Sequence, residues 1–301
     1  MPPRATRAAT LGVLLLAAAA APAAEPPAAA LPPIDARTSL LVVAPHPDDE
    51  TLCCAGVIQR VLHAGGRVSI VWLTSGDGSR LSSLFVEKEL LVHPQMMRAL
   101  GRQRMGEARA AATALGVPPQ GQFFLGYPDQ GLEKLLDAHR TSPYTSRYTA
   151  SALVPYAGTL FPGHPYTGES LERDFAAVIE RARPTLILAP SLLDEHPDHR
   201  AAGRLASEAA RGTAATAETH YWIVHGGEAW PSPRGLLLGV PETAAPRAAG
   251  LAPLPFVLEP AEEDTKLAAL REHRSQLRTT APFLLAFVRT SELFSTLASA
   301  R

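Results

Sequence analysis

Hydrophobic positions along the chain follow two alternating rhythms. Short apolar runs occur at Leu40-Leu41-Val42-Val43-Ala44, at Val68-Ser69-Ile70-Val71-Trp72-Leu73, at Phe123-Phe124-Leu125 and at Leu186-Ile187-Leu188-Ala189. Runs with little polar alternation read as strands covered on both faces, as in the interior of a parallel sheet. Between them the apolar spacing lengthens to three and four, which predicts helices over 51–64, 103–115, 169–183 and 201–211. In the first of these, Leu52, Val57, Ile58, Val61 and Leu62 form the apolar side. Gly65-Gly66, Gly116 with Pro118-Pro119, and Pro184 supply the stops. Strand, helix, strand units of this length are parallel and right-handed, so the pattern predicts an α/β fold with a mostly parallel sheet. A fifth strand is expected over 220–224 and an edge strand over 256–258, with closing helices over 261–277 and 282–297.

Three stretches depart from these rhythms. Residues 79–102 read as an insertion, a lid or a surface excursion, with an amphipathic piece at 84–92 that carries Glu87, Lys88 and Glu89. Residues 137–168 are polar and long; their tyrosines Tyr144, Tyr148, Tyr156 and Tyr166 either stack on a sugar or pin the loop down. At the start, Arg4 and Arg7 precede an apolar core at 11–20, and Ala21-Pro22-Ala23 offers a small-residue cleavage site. Residues 1–23 are therefore expected to be a signal peptide, 24–36 a Pro/Ala linker and 37–301 a single domain. The apolar core is too short to span a bilayer, so export to the periplasm or beyond is expected, with no transmembrane span in the mature chain.

Composition narrows the partners. The chain has 301 residues, and a net charge of -1 leaves no electrostatic footprint for nucleic acid or an anionic membrane surface. Its two cysteines are the neighbours Cys53 and Cys54, which read as separate small buried helix residues. With no CxxC spacing, a metal here must be held by histidine and carboxylate.

The chemistry gathers in two places. The first apolar run stops at Pro45-His46-Pro47-Asp48-Asp49-Glu50, and the fourth leads to Asp194-Glu195-His196-Pro197-Asp198-His199. Both stand at a strand's carboxyl end before a helix, where open α/β sheets bind ligands. Zinc in a hydrolase takes about three protein ligands and keeps a position for water. His46 and Asp49 are close enough in the chain to share one ion, and His199 would complete the set. Asp48, beside a ligand yet free, is the candidate general base. His196 would stabilise an oxyanion or protonate a leaving amine, and Asp198 would orient a neighbouring imidazole through its second nitrogen. The reaction class is metal-assisted hydrolysis of an acyl bond. His63, His93, His139, His164, His220 and His225 lack such company and are expected to be structural or solvent-facing.

The paired motifs Pro45-His46-Pro47-Asp48-Asp49-Glu50 and His196-Pro197-Asp198-His199 resemble the signature of the LmbE-like, or PIG-L, family of zinc-dependent de-N-acetylases. The resemblance extends to Arg104-Met105-Gly106-Glu107, to Leu125-Gly126-Tyr127-Pro128-Asp129 and to His273-Arg274-Ser275-Gln276. It implies a Rossmann-like three-layer sandwich and Zn2+ held by His46, Asp49 and His199. It also implies Asp48 as base, His196 as oxyanion or acid histidine, substrate contacts at Arg104 and Asp129, and a structural clamp at His273 and Gln276. The implied substrate is an N-acetylated amino sugar or glycoconjugate of the N-acetylglucosamine type. Cys53-Cys54-Ala55-Gly56 departs from the family's Gly-Cys-Gly-Gly-like run. A zinc amidohydrolase for a non-sugar amide, or a non-catalytic sugar- or zinc-binding module of the cell envelope, are the alternatives.

Overall fold

Strand β1 (Ser39–Ala44) is buried at every position, because it runs through the middle of a five-stranded sheet. The computed structural model describes residues 30–78, 93–212, 214 and 216–296. After β1 come α1 (Asp49–His63), β2 (Arg67–Thr74), α2 (Pro94–Ala114), β3 (Gln122–Tyr127) and the short α3 (Leu132–Asp137). Then follow α4 (Gly168–Ala182), β4 (Leu186–Pro190), α5 (Pro197–Arg211) and β5 (Glu218–Trp222). The sheet order is β3-β2-β1-β4-β5, and every pairing is parallel.

The strand period of two sorts β1 between two cores. Leu40, Val42 and Ala44 pack with Val57, Ile58 and Val61 of α1 and with Ala108 and Ala111 of α2. Leu41 and Val43 pack with Leu171, Phe175 and Val178 of α4 and with Leu205 and Ala206 of α5. Helices thus cover both faces, giving the three-layer α/β architecture that the apolar runs predict. From β1 the chain builds outward to β3 on one side, then returns to β4 and builds to β5 on the other. The order reverses between β1 and β4, which pair directly with Leu41 opposite Ile187. A crevice opens beyond the strand ends at such a reversal. Both charged turns lie in it.

Several expectations change in the second half. The helix expected over 261–277 is interrupted at His273, giving α6 (Pro260–Glu272) and α7 (Arg274–Leu284). The helix expected over 282–297 is overturned: α7 ends at Leu284, and β7 (Ser291–Phe294) pairs antiparallel with β6 (Leu254–Val257). Thr280 already leaves helical geometry at φ -133° and ψ 22°, one residue away from Pro282's neighbour, and Pro282 brings no amide hydrogen. The cysteines are buried as expected but not separate. Their sulfurs are joined in a disulfide between neighbours within α1, which corrects the reading of two free thiols. Packed side by side in one helix turn, each thiol has the other as its nearest reactive partner.

The tyrosines of 137–168 pin the loop. Tyr148, Tyr156 and Tyr166 are buried, with hydroxyls donating to Gln130 Oε1, to Asp77 and to Gly126 O. The expected signal peptide 1–23 and the amphipathic piece 84–92 lie outside the described residues. Among the described residues no helix is long and apolar enough to cross a membrane.

Candidate active site

The turn after β1 is strained where it is most charged. Asp48, the residue before α1, has φ 143° and ψ -29°, a region that side chains rarely occupy. Its amide donates to Glu50 Oε2 at 3.1 Å, and its carbonyl accepts from Thr51 and Leu52, which starts the helix. Arg104, buried on α2, reaches over from the side, with Nη2 donating to Pro47 O at 2.7 Å and to Asp48 Oδ2 at 3.2 Å. Its Nη1 holds Gly76 O at 2.9 Å, so this arginine is committed to the turn and the strand end beside it.

The three acids of this turn have three different surroundings. Glu50 is directed into the protein, where it accepts from Trp72 Nε1 at 2.8 Å and from Thr51 Oγ1 at 2.7 Å and lies 3.0 Å from His273 Nε2. His273, at the break between α6 and α7, thereby clamps the C-terminal helices to the turn. Asp49 Oδ2 accepts from the His46 amide at 2.8 Å and faces two imidazoles. Asp48 lies on the wall of a cavity of about 510 Å³ that also takes in His46, Asp49, Arg104, Asp129 and His196.

Three atoms converge beneath that cavity. His46 Nδ1 and Asp49 Oδ2 are 3.3 Å apart, His199 Nε2 and Asp49 Oδ2 are 3.3 Å apart, and His199 Nε2 and His46 Nδ1 are 3.3 Å apart. The second nitrogen of each ring is occupied. His46 Nε2 lies 3.2 Å from Asp198 Oδ2 and 3.4 Å from Asp129 Oδ1, while His199 Nδ1 lies 3.1 Å from Asp194 Oδ2. Carboxylates behind the rings take up the N–H protons and leave His46 Nδ1 and His199 Nε2 as bare acceptors. An ion bonded to all three corners at zinc's usual distances of about 2.0–2.1 Å would see angles of about 105–110° between them, nearly tetrahedral. The residues therefore fit a divalent metal with one face open to the cavity.

The electrostatics agree. Burial works against charge on His199, but Asp194 and Asp49 outweigh it and raise the imidazole to about 9. Burial likewise opposes charge on His46, and Asp129, Asp198 and Asp49 raise it well above the ordinary histidine range. A pocket that stabilises positive charge on two adjacent rings is one in which a cation can replace those protons. His196 behaves oppositely: burial first, then the neighbouring His46, His199 and His225, push it down to about 2. Its Nδ1 accepts from the Asp198 amide at 3.2 Å, so the neutral ring carries its proton on Nε2. Asp48 is pushed up to about 6 by burial, against the pull of Arg104. Asp129, whose burial is outweighed by His46, sits at about 2 and accepts from Gly78 N at 2.9 Å.

The structure brings His46, Asp48, Asp49, Arg104, Asp129, His196, Asp198 and His199 to this one crevice. Two residues that the sequence left without a role belong there too. Asp194 accepts from the amides of His196, Val224 and His225 as well as facing His199, so it ties the turn after β4 to the end of β5. Its place five residues before His199 was the available signal. His225, expected to be structural or solvent-facing, lines the cavity, with ring centroids 4.8 Å from His199 and 5.2 Å from His196. It follows β5, which neighbours β4, and that strand-end position was its signal.

A cation cradle with a carboxylate and a neutral imidazole at its rim, set in the crevice of an open α/β sheet, is chemistry for hydrolysing acyl bonds. The family model of the GlcNAc-PI de-N-acetylases, PIG-L, matches residues 41–210, over half of the chain, and the chain belongs to that family. It is a hydrolase of the de-N-acetylase class, acting on amides. Relatives named 1D-myo-inositol 2-acetamido-2-deoxy-alpha-D-glucopyranoside deacetylase include one from a Mycobacterium species, 25% identical over 252 residues and covering 80% of this chain and 75% of its own. Another, from Streptomyces avermitilis, is 28% identical over 289 residues, covering 85% of this chain and 89% of its own. Among solved structures, the N,N'-diacetylchitobiose deacetylase from Pyrococcus horikoshii has the same fold, with a TM-score of 0.51, 19% identity and coverage of 85% and 82% of the two chains.

Proposed function

We propose that the protein is a zinc-dependent deacetylase that removes the acetyl group from an N-acetylglucosamine-type sugar or its conjugate. The observation that carries this reading is the 3.3 Å triangle of His46 Nδ1, Asp49 Oδ2 and His199 Nε2. Relatives named for a 2-acetamido-2-deoxy-glucopyranoside substrate support the sugar. In this reading His46, Asp49 and His199 hold zinc, which polarises the amide carbonyl and acidifies a water. Asp48 takes the proton of the attacking water. A carboxylate lifted to about 6 is ionised at neutral pH yet more basic than an ordinary aspartate, which suits that task. His196, neutral with its proton on Nε2, donates to the oxygen on which charge develops. Asp198 and Asp194 keep His46 and His199 in the required tautomers. Arg104 serves the substrate through Asp48, whose position it fixes, and Asp129 offers its carboxylate to a sugar hydroxyl.

Residues 37–301 act as one domain in this reading, since Gln276 and Leu284 of α7 line the same cavity as Asp48. The leader with Arg4, Arg7 and the apolar 11–20 supports export, so the substrate is expected in the envelope or outside the cell. The test is amine release from N-acetylglucosaminyl-inositol and other N-acetylglucosamine conjugates, using protein stripped by a chelator and then given zinc. Release restored by zinc is the expected result. Release that ignores chelation, or none from any N-acetyl sugar, overturns the reading.

A further inference from the structure

The cavity above the three converging atoms has two unlike sides. One carries Asp48, Arg104, Asp129, Gln130 and His196; the other is built from Leu52, Val224, Trp230, Phe283 and Leu284. Leu52 lies three residues after Asp49 on α1 and so on the same helix face, which starts the apolar side directly beside the trio. Val224 follows β5, Trp230 lies in the next loop, and Phe283 and Leu284 end α7. These side chains are fixed by packing. The rings of Trp230 and Phe283 each meet Phe287 edge-on at 5.3 Å, and His225 stacks on Phe283 at 5.7 Å. The charged members of that side, Glu228 and Arg234, are exposed. The polar residues named above all lie within 41–210, the stretch shared with the family, whereas the apolar ones apart from Leu52 lie beyond it. The shared chemistry therefore faces a wall that this chain supplies from its own C-terminal part.

A substrate amide has two arms that leave its carbonyl carbon in opposite directions. The sugar arm has hydroxyls and needs hydrogen-bonding partners, which are on the Asp129 and Gln130 side. The acyl arm has none and matches the apolar side. An acetyl methyl reaches Leu52 and little more, leaving the rest of the wall without contact partners. A cavity of about 510 Å³ is in the range that encloses ligands well beyond one small ring, about 300–1,000 Å³.

We propose that this site cleaves amides whose acyl group is longer than acetyl, a short linear fatty acyl chain lying along Leu52, Val224, Trp230, Phe283 and Leu284. The inference rests on the deacylase reading above and refines its substrate. The reaction is unchanged: water adds its oxygen to the carbonyl carbon, the C–N bond breaks, and the products are the free amine and a carboxylic acid.

The test is a series of glucosamines N-acylated with acetyl, butanoyl, hexanoyl and octanoyl groups, followed by amine release with the zinc-loaded protein. Each methylene buried on the wall is worth about a fourfold gain, so kcat/KM is expected to rise roughly tenfold from acetyl to butanoyl and further with hexanoyl. Leu284→Trp, which fills the wall, should flatten that ratio towards one, and Val224→Phe is a second filling variant should the first not fold. Best turnover of acetyl, with rates that fall as the chain grows, overturns the inference and leaves the deacetylase reading standing. No release from any member overturns the deacylase reading itself. A gain that follows apolar groups on the sugar's anomeric oxygen and not acyl length assigns the wall to the other arm and also overturns the proposal.

Discussion

Asp48 combines a backbone conformation that costs of order 1–3 kcal/mol with a carboxyl lifted to about 6 by burial, and neither helps the protein fold. Its φ of 143° is held by Arg104 and Glu50, which grip the turn on both sides of it. Strain maintained by buried partners at a cavity wall is the mark of a side chain placed for chemistry. Asp48→Asn is accordingly expected to keep its metal and lose about 10²–10⁴-fold in turnover. Asp48→Gly should be equally inactive but more stable, by about 1 kcal/mol, since glycine accepts positive φ and buries no carboxylate. Paired rate and urea measurements decide; a Gly variant less stable than the parent would show that the turn is not strained. Asp194 makes a second residue-scale case. Asp194→Asn should weaken metal binding about 10–100-fold, as read by competition with a chromogenic chelator. The sequence displayed His46, Asp48, Asp49, His196 and His199 because they crowd into two short motifs. His225 stayed hidden because only the sheet order, with β5 beside β4, carries it to His199.

At the scale of elements, the parallel strands were legible because a strand buried on both faces leaves an unbroken apolar run, as β1 and β4 do. The closing segment was not, because Leu284, Leu285, Phe287 and Val288 keep a helical spacing while the fold is decided by a partner far away. Glu292 on β7 is buried against Lys266 of α6, with Lys266 Nζ 2.9 Å from Glu292 Oε1. Both are wired into α1: Lys266 donates to Leu52 O at 2.8 Å, and Glu292 accepts from Gly56 and Val57 amides at 2.9 and 3.2 Å. A side chain at 56 would run into Leu258 and Glu292, which accounts for the glycine there. The pair therefore fastens α6, β7 and the middle of α1, one turn past the acidic motif. Removing one partner leaves an unpaired buried charge, so Glu292→Ala is expected to cost about 3–5 kcal/mol in urea unfolding. Lys266→Met with Glu292→Leu together should recover most of that loss. A cost below about 1 kcal/mol for the single change would mean that water reaches the pair.

For the molecule as a whole, the crevice is a seam. His46 and Asp49 belong to the turn after β1 and His199 to the start of α5 after β4, so the trio joins residues about 150 positions apart across the reversal of the sheet. Beneath it, Asp49, Asp194, Asp198 and Asp129 bring negative charge together in a buried space, and protonated imidazoles offset it at a cost in desolvation. A divalent ion binding the trio in the folded chain, and finding no such geometry in the unfolded one, stabilises the whole fold by mass action. At a free metal concentration about 1,000 times the dissociation constant the gain is about 4 kcal/mol. For a chain of this size that corresponds to a Tm higher by roughly 8 °C or more. Chelation of the parent should remove that increment, and readdition of zinc should restore it. His199→Ala should melt at one temperature with or without metal, because it has lost the corner that spans the seam. Asp48→Asn should keep the full metal-dependent shift. If His199→Ala retains the shift, the ion binds elsewhere and the 3.3 Å triangle is not the metal site; if all three proteins lose it together, Asp48 is a ligand and not the base.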